Sequence, residues 1–351
     1  MAWTRRSFLG ATGALALAPA VPARAAAAVP GGRAPLPPKR PPRLEPGMTV
    51  ALVTPASNVP EDEDLDAALD LVRSLGFEAR PSPNLRRRRQ YLAGTDAERA
   101  ADLNAAFADP AVDAIFCVRG GYGSARLLPR LDYAAIAANP KVLLGYSDIT
   151  ALLNAIRLRT GLVTFHGPIA GQNFSPYTYE EYRRVLVAGE AGAIAAPPPI
   201  EARPGFVERE NRLTRIVPGR AEGPLVGGNL TLLVHLLGTP FEPDFDGAIL
   251  FLEDVDEPPY SVDRMLTHLW LSGRLERVAG IAFGKFTEAD YDGNTLSIEE
   301  VLRDRCEPLG IPTLRGLMIG HVEDQTVVPL GVRARLDVDA GTLSLLEPAV
   351  T

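Results

Sequence analysis

Residues 142–158 have the sequence VLLGYSDITALLNAIRL, in which two apolar segments are joined through a serine. Residues 142–146 form a continuous apolar run, as expected of a strand that is covered on both faces. The helical spacing of the apolar residues after Ser147 predicts a strand–serine–helix turn. Such a turn exposes the hydroxyl group and brings the free N–H groups of a helix N-terminus close to it. The alternative is that Ser147 or Asp148 only caps the helix.

Strands and helices alternate on both sides of this turn. The predicted strands cover residues 48–53, 114–118, 142–146 and 162–165, and the predicted helices between them cover residues 62–75, 96–107 and 149–158. Alternation of this kind predicts an α/β fold with a parallel sheet. We assign residues 48–170 to this N-terminal domain, which would carry the serine.

The alternating pattern of predicted strands and helices weakens in residues 171–220, which are predicted to connect two domains. The C-terminal domain is assigned to residues 221–351. Within it the sequence predicts a helix over residues 230–237 after a Gly-Gly-Asn turn, a strand over 248–252, a helix over 261–271, a strand over 281–286, a helix that starts with a capping box at 297–300, and a hairpin over 332–346.

The first residues have the composition of an export signal. Arg5 and Arg6 stand just before Phe8, and a small apolar run over residues 10–21 ends near an Ala-Arg-Ala site. The run is too short to span a bilayer, and the paired arginines resemble a twin-arginine signal. An ordinary disordered N-terminus is the alternative. We therefore expect residues 1–28 to direct export to the periplasm or the medium, followed by a Pro-rich linker over residues 29–47.

Composition excludes several classes of function. The 351 residues are 46% hydrophobic and 23% charged, which is typical of a globular protein with a sizeable core. A net charge of −7 argues against nucleic acid as a partner. The sequence shows neither an apolar run of membrane-spanning length nor a lipidation site, so it does not predict a stable membrane anchor. Two cysteines and four histidines do not predict a metal site, and we expect no cofactor.

Polar clusters follow the predicted strands at the edge where parallel α/β sheets bind ligands. A Gly-Gly-Tyr-Gly turn at 120–123 offers backbone N–H groups, although a plain tight turn is equally consistent with it. Glu253 continues directly from a core strand, and both His166 and His321 stand at strand ends as candidate bases. The chain order Ser147, Glu253, His321 is the serine–acid–histidine order of many hydrolases.

Five motifs at these places resemble the LD-carboxypeptidase family of serine peptidases, which includes muramoyltetrapeptide carboxypeptidases and microcin C immunity-type peptidases. The motifs are RGGYG at 119–123, GYSDIT at 145–150, GGNL at 227–230, LED at 252–254 and GH at 320–321. They occur in family order over nearly the whole chain after the signal.

The resemblance implies an N-terminal domain like class I glutamine amidotransferases, a smaller β-rich C-terminal domain and a homodimer. It implies a catalytic triad of Ser147, Glu253 and His321. The implied oxyanion hole consists of the backbone N–H groups of Gly121 and Asp148, with Gly120 as a further donor in the same turn. Many members of the family work in the cytoplasm, so an export signal would be a departure.

The implied reaction releases the terminal D-alanine of a peptidoglycan tetrapeptide by cutting an L,D-amide bond, with a small muropeptide as the substrate. Candidate substrate contacts are Arg119, Tyr122, His166, Asn229 and Arg264, and the two arginines are candidates for the substrate carboxylate, although either could instead pair with a structural acid. Two alternatives stay open: a related serine peptidase for other amides, such as peptide–nucleotide antibiotics, or an exported protein that binds peptides without cutting them.

Overall fold

We describe the fold from a computed structural model, which covers residues 36–199, 204–205, 207–289 and 293–351. The predicted export signal and the first residues of the predicted linker lie outside the described residues. The strands of the described residues are, in chain order, β1 (Thr49–Val53), β2 (Glu78–Pro81), β3 (Ala114–Cys117), β4 (Val142–Gly145), β5 (Thr164–His166), β6 (Gly192–Ile194), β7 (Thr214–Val217), β8 (Arg220–Asn229), β9 (Ile249–Val255), β10 (Gly280–Thr287), β11 (Thr313–Arg315), β12 (Val328–Leu330), β13 (Arg333–Asp337) and β14 (Thr342–Leu345).

The α-helices lie between these strands, and most begin where the sequence predicts them. They are α1 (Asp62–Ser74), α2 (Asp96–Ala108), α3 (Tyr133–Ala138), α4 (Thr150–Thr160), α5 (Pro176–Tyr182), α6 (Leu230–Leu236), α7 (Pro259–Leu271) and α8 (Ile298–Cys306). The capping box that opens α8 is present, with the Ser297 side chain and the Glu300 side chain each bonded to the other residue's backbone.

The first sheet has six strands in the order β12-β5-β4-β3-β1-β2. Its five N-terminal strands are parallel, which confirms the predicted α/β domain. The outer strand β12 comes from the region assigned to the C-terminal domain and pairs antiparallel with β5. This exchange was missed because β12 is only three residues long and contains a proline, so it carries little strand signal.

The second sheet has eight strands in the order β6-β14-β13-β8-β9-β10-β11-β7 and forms the predicted β-rich C-terminal domain. Its centre is parallel from β8 to β11, and β13 and β14 form the predicted hairpin. Both edge strands, β6 and β7, come from the connecting region 171–220. They are short and partly exposed, which explains why this region has a weak sequence signal.

The described part of the predicted linker, residues 36–47, packs on the domain that follows it. Lys39 donates its backbone N–H to Gly161 at 2.8 Å and pairs with Leu162, and the Leu44 side chain is fully buried. Arg43 also donates its backbone N–H to the Thr351 carbonyl, and Thr351 donates its own to the Pro41 carbonyl, each at 3.0 Å. These contacts distinguish the segment from a free spacer, because they fix its backbone against the fold.

One apolar core extends across both sheets. It includes Ile115 of β3 and Leu144 of β4 in the first sheet, and Ile249 and Phe251 of β9 in the second.

Within the described residues no helix combines the length and the apolar character needed to cross a membrane. Both cysteines are free and buried, and burial raises the pKa of each thiol.

Candidate active site

Ser147 stands at the turn that the sequence predicts between β4 and α4. Its φ of +63° lies in the left-handed region, where a residue with a side chain is strained. A short 3₁₀ turn, Ser147–Ile149, follows and leads directly into α4. Strain at such a turn is typical of functional sites, and this turn leaves the serine half-exposed at the carboxyl edge of the sheet.

The glycine turn after β3 lies directly against this serine. A Cβ atom on Gly120 would be 2.9 Å from Ser147 Cβ, 3.2 Å from Ser147 Oγ and 3.3 Å from the backbone nitrogen of Asp148. Gly121 has a φ of +97° and packs equally closely against Ser57, whose Oγ accepts the Tyr122 N–H at 3.1 Å. The missing side chain of Gly120 therefore leaves space beside the hydroxyl group and the start of the helix.

Glu253 and His321 form a hydrogen-bonded pair. His321 Nδ1 is 2.8 Å from Glu253 Oε2, the glutamate is fully buried, and the histidine side chain is 19% exposed. Gly320 makes this approach possible, since its φ is +116° and a Cβ there would be 2.7 Å from Glu253 Oε2. An ionised buried carboxylate beside Nδ1 favours the tautomer in which the outer nitrogen, Nε2, is free to accept a proton.

Strand β8 contacts both the start of α4, which follows Ser147, and strand β9, which carries Glu253. Asn229 pairs in parallel register with Glu253, and its backbone N–H donates to Thr150 Oγ1 at 3.0 Å, at the start of α4. Gly228 permits this contact because a Cβ there would be 2.6 Å from the same hydroxyl oxygen. The Asn154 side chain adds a hydrogen bond to the Gly227 carbonyl at 2.9 Å. Sequence reasoning missed Thr150 and Asn154, because their role depends on a distant strand.

Tyr146 connects the histidine to the serine turn. Its ring centroid is 4.7 Å from that of His321, although no hydrogen bond joins Ser147 to His321 in the part of the chain that the structure describes. Hydrogen bonds between nucleophile and base are often long in a free enzyme and tighten when substrate binds. The fold thus places the ring of Tyr146, the residue before Ser147, against His321, whose hydrogen bond to Glu253 is already formed.

Burial shapes the electrostatics around the pair. Burial, together with the neighbouring Glu253 carboxylate, raises the pKa of Asp254 to about 6, although hydrogen bonds from Asn229 and Thr231 partly oppose the shift. Burial also raises the pKa of Tyr146 to about 12, with a smaller effect of Glu253. The surroundings of Asp254 and Tyr146 therefore disfavour added charge. In such a poorly solvated environment, an ionised Glu253 would interact strongly with the neighbouring His321 ring.

Two predicted substrate contacts are contradicted by burial. His166 has no exposed surface and packs against Tyr146 and Phe251, at centroid distances of 6.0 and 5.4 Å. Asn229 is 3% exposed, and its side chain caps α6 and donates to Asp254 Oδ1 at 2.7 Å. Both residues support the site from within, and neither offers a surface to a substrate.

The other three predicted contacts are exposed. Arg119 donates to the Asn58 carbonyl at 3.0 Å and pairs with no carboxylate among the described residues. Arg264 contacts Ser261 Oγ at 3.3 Å and lies over the Tyr260 ring, 5.6 Å from its centroid. Arg119 thus stands one residue before the glycine turn with its charge available.

Tyr122 belongs to the same turn and is 54% exposed. Its ring lies 5.8 Å from that of Tyr91, which is 57% exposed. Four carboxylates stand at residues 253–257, at the end of β9, but the described residues contain no group of three or more His, Cys, Asp or Glu side chains that could hold a metal ion. The candidate site is built from a serine, a glutamate and a histidine.

The buried His166 predicts how stability depends on pH. Burial lowers its pKa to about 4, with a partly opposing effect of the Glu253 charge, whereas an exposed histidine titrates near 6.5. Because the folded value is the lower one, the stability contribution of the neutral ring is complete above pH 6.5 and is lost as the pH falls towards 4. We expect the wild type to lose about 3 kcal/mol more free energy of unfolding over this interval than His166→Phe.

Urea unfolding of the two proteins at pH 7 and pH 4 measures this difference. Asp254 titrates in the same interval in the opposite direction, but it is present in both proteins and cancels in the comparison. Parallel stability curves for the two proteins would show that His166 is not kept neutral by the fold.

A serine at a strand–helix turn of a parallel α/β sheet, together with a hydrogen-bonded pair of a buried glutamate and a partly exposed histidine, is a hydrolase-type arrangement. The N-terminal domain of the LD-carboxypeptidase family matches residues 50–167, and the family's C-terminal domain matches residues 222–336. The chain therefore belongs to the LD-carboxypeptidase family, a family of peptidases, which confirms the resemblance found in the motifs.

Individual relatives agree with this assignment. A Bacillus subtilis (strain 168) protein described as a probable murein peptide carboxypeptidase is 40% identical over 319 residues, which cover 89% of this chain and 95% of the relative. The murein tetrapeptide carboxypeptidase of Pseudomonas aeruginosa is 34% identical and covers 82% and 92%. The solved structure of MccF in complex with glutamyl sulfamoyl guanosine superposes with a TM-score of 0.81 at 29% identity, covering 90% of this chain and all of that one.

Proposed function

We propose that this protein is a serine carboxypeptidase that releases the terminal D-alanine from peptidoglycan tetrapeptides. The observation that carries the proposal is the Glu253–His321 hydrogen bond of 2.8 Å, at the edge where Ser147 is held at a φ of +63°. The relatives named as murein peptide carboxypeptidases support the choice of substrate.

In the proposed first step, Ser147 Oγ attacks the carbonyl carbon of the L,D-amide bond and His321 Nε2 takes its proton. Glu253 accepts the Nδ1–H hydrogen bond and stabilises the imidazolium that forms. The tetrahedral oxyanion is stabilised by backbone N–H groups of the glycine turn and of Asp148, in the space that Gly120 leaves open. Collapse of the intermediate breaks the C–N bond, and His321 returns the proton to the leaving amine of D-alanine.

A water molecule then attacks the acyl-enzyme ester with His321 as the base, and Ser147 leaves as the hydroxyl group. The substrate must also present its terminal carboxylate beside the oxyanion hole. Arg119 is the cation that we assign to it, because this residue immediately precedes the glycine turn and its guanidinium has no carboxylate partner in the described chain.

The experiment that tests the function is incubation of the purified protein with a disaccharide-tetrapeptide, followed by chiral analysis of the released amino acid. We expect D-alanine to be released, and the same peptide ending in L-alanine to remain intact. A second substrate, an aminoacyl sulfamoyl nucleoside, tests the alternative that the MccF neighbour favours. Exclusive cleavage of that nucleoside would contradict the murein substrate, and binding without cleavage of either would contradict the enzyme.

Replacing Gly120 by alanine tests the space beside Ser147 without replacing any residue of the triad. The φ of Gly120 is not positive, so alanine fits the backbone, but its Cβ would lie 2.9 Å from Ser147 Cβ and 3.3 Å from the Asp148 nitrogen. We expect Gly120→Ala to lower kcat about 10²- to 10³-fold, which is typical of the loss of one oxyanion donor. Thermal unfolding of the variant serves as the control for folding, and turnover within threefold of the wild type would place the oxyanion elsewhere.

We also propose that the protein is exported through the twin-arginine route. The paired arginines before Phe8 and the short apolar run that follows support this proposal. Replacing both Arg5 and Arg6 with lysine keeps the charge but removes the guanidinium pair. We expect the precursor to accumulate inside the cell, whereas the wild type yields a product beginning near Ala26. Unchanged export of the double variant would indicate the general secretory route.

A further inference from the structure

The buried side chains of Glu253 and His166 carry polar atoms that have no hydrogen-bond partner among the described residues. Glu253 Oε1 and both ring nitrogens of His166 make no hydrogen bond with any described residue, and both residues are fully buried. Nearly all buried polar groups in folded proteins are hydrogen-bonded, either to protein atoms or to ordered water. Unpartnered atoms on two neighbouring side chains therefore indicate a shared partner, bonded to Glu253 Oε1 and to one of the ring nitrogens.

The two side chains lie in the same pocket. The His166 ring is 5.4 Å from the ring of Phe251, and Glu253 follows Phe251 by two residues in β9, so both side chains leave the same face of the strand. The ring centroid of Tyr146 lies 6.0 Å from that of His166 and 4.7 Å from that of His321. The charges of Glu253 and His321 both act on the titration of His166, which agrees with this proximity.

Packing alone does not explain a histidine at this position. A phenylalanine would fill a similar volume without two buried nitrogen atoms, whose desolvation no described protein group offsets. Burial lowers the pKa of His166 to about 4, which keeps the ring neutral near pH 7. A neutral imidazole has one N–H donor and one acceptor nitrogen, so it can bond to a small partner of mixed character.

We propose that His166 is a positioning residue that holds the Glu253 carboxylate through one buried water molecule, an inference that rests on the proposed function. The water accepts the N–H hydrogen of His166 and donates to Glu253 Oε1. Buried waters typically make about three hydrogen bonds to groups that would otherwise be unsatisfied. With Oε2 bonded to His321 and Oε1 bonded to the water, the carboxylate can no longer rotate, and this fixes the ring of His321 for proton transfer.

Three variants of His166 separate this role from packing. His166→Phe fills the space and removes both nitrogens. His166→Asn and His166→Gln each keep a side-chain N–H group, and the two side chains place it at different distances from the backbone. Tyr182→Phe is the matched control, since it removes another buried, unpartnered polar atom, the Tyr182 hydroxyl, from a ring that packs against Phe116 and Phe174.

We expect His166→Phe to lower kcat about tenfold to a hundredfold with KM unchanged, because the residue touches no substrate and acts only through the base. At least one of the two amide variants should recover most of this loss, and Tyr182→Phe should leave kcat unchanged. Equal turnover of His166→Phe and the wild type, or equal loss in all three His166 variants, would overturn the positioning role.

A high-resolution crystal structure of the full chain decides the inference independently of the substrate. We expect a water oxygen within about 3.2 Å of both Glu253 Oε1 and one ring nitrogen of His166. If tetrapeptides are not cleaved but this water is present, the proposed substrate fails and the bridge stands. If tetrapeptides are cleaved and no water joins the two side chains, the bridge fails and the proposed function stands.

Discussion

Ser147→Ala is expected to fold normally and to lose about three or more orders of magnitude in kcat. The reason is geometric, because the hydroxyl group stands at the start of a helix against Gly120, and the preceding Tyr146 packs on His321, which bonds to Glu253. Release of D-alanine measures the loss. Mass spectrometry after reaction with a fluorophosphonate should show one adduct on the wild type, at Ser147, and none on the variant.

Ser272→Ala is the matched control for this substitution. Ser272 lies at the end of α7, and its hydroxyl group donates only to the Leu269 carbonyl. We expect its turnover to equal that of the wild type. Activity of Ser147→Ala within tenfold of the wild type would refute the serine mechanism, and inactivity of both variants would point to a defect in folding instead.

Glu253→Gln should have the second-largest effect, a loss of about 10³- to 10⁴-fold in kcat. Glutamine keeps the size of the fully buried side chain but carries no charge to stabilise the imidazolium of His321. If its amide group turns towards Nδ1, it also favours the tautomer that cannot accept a proton at Nε2. The pH profile of kcat/KM and thermal unfolding separate this effect from a loss of stability.

The control for this prediction is Glu257→Gln. Glu257 lies four residues further along the chain, is partly buried and hydrogen-bonds to the hydroxyl groups of Ser261 and Thr231. We expect its turnover to stay within about threefold of the wild type, as is usual for a charge change away from the reacting atoms. A larger loss in Glu257→Gln than in Glu253→Gln would show that the acid of the triad has been assigned to the wrong residue.

The strands and helices with the clearest hydrophobic pattern in the sequence were predicted with the most accurate bounds. The strands β1, β3 and β4 and the helices α1 and α2 lie within one or two residues of their predicted bounds, because their apolar residues face a core on one side or on both. Strand β2 escaped prediction because most of its residues are polar or exposed at the sheet edge. The glycine-rich β8 was predicted only as a turn, since glycine disfavours strands unless another chain segment passes closely.

Other predictions stay open. Homodimer formation and export depend on contacts and on residues beyond those that the structure describes, and the twin-arginine substitution and the oligomeric state in solution test them directly. The predicted substrate contacts differ in their exposure. His166 and Asn229 carry polar groups at strand ends, as binding residues often do, yet the fold buries both beneath the site.

The sequence by itself determined the α/β class, the serine turn and the order of serine, acid and histidine, because hydrophobic period and short motifs are local properties of the chain. Only the tertiary structure showed which of the two candidate bases contacts Glu253. His166 and His321 both follow a strand, but the positive φ of Gly320 brings His321 to 2.8 Å from Glu253, whereas β5 buries His166 between two sheets. That choice depends on how distant strands pack, and no local pattern encodes it.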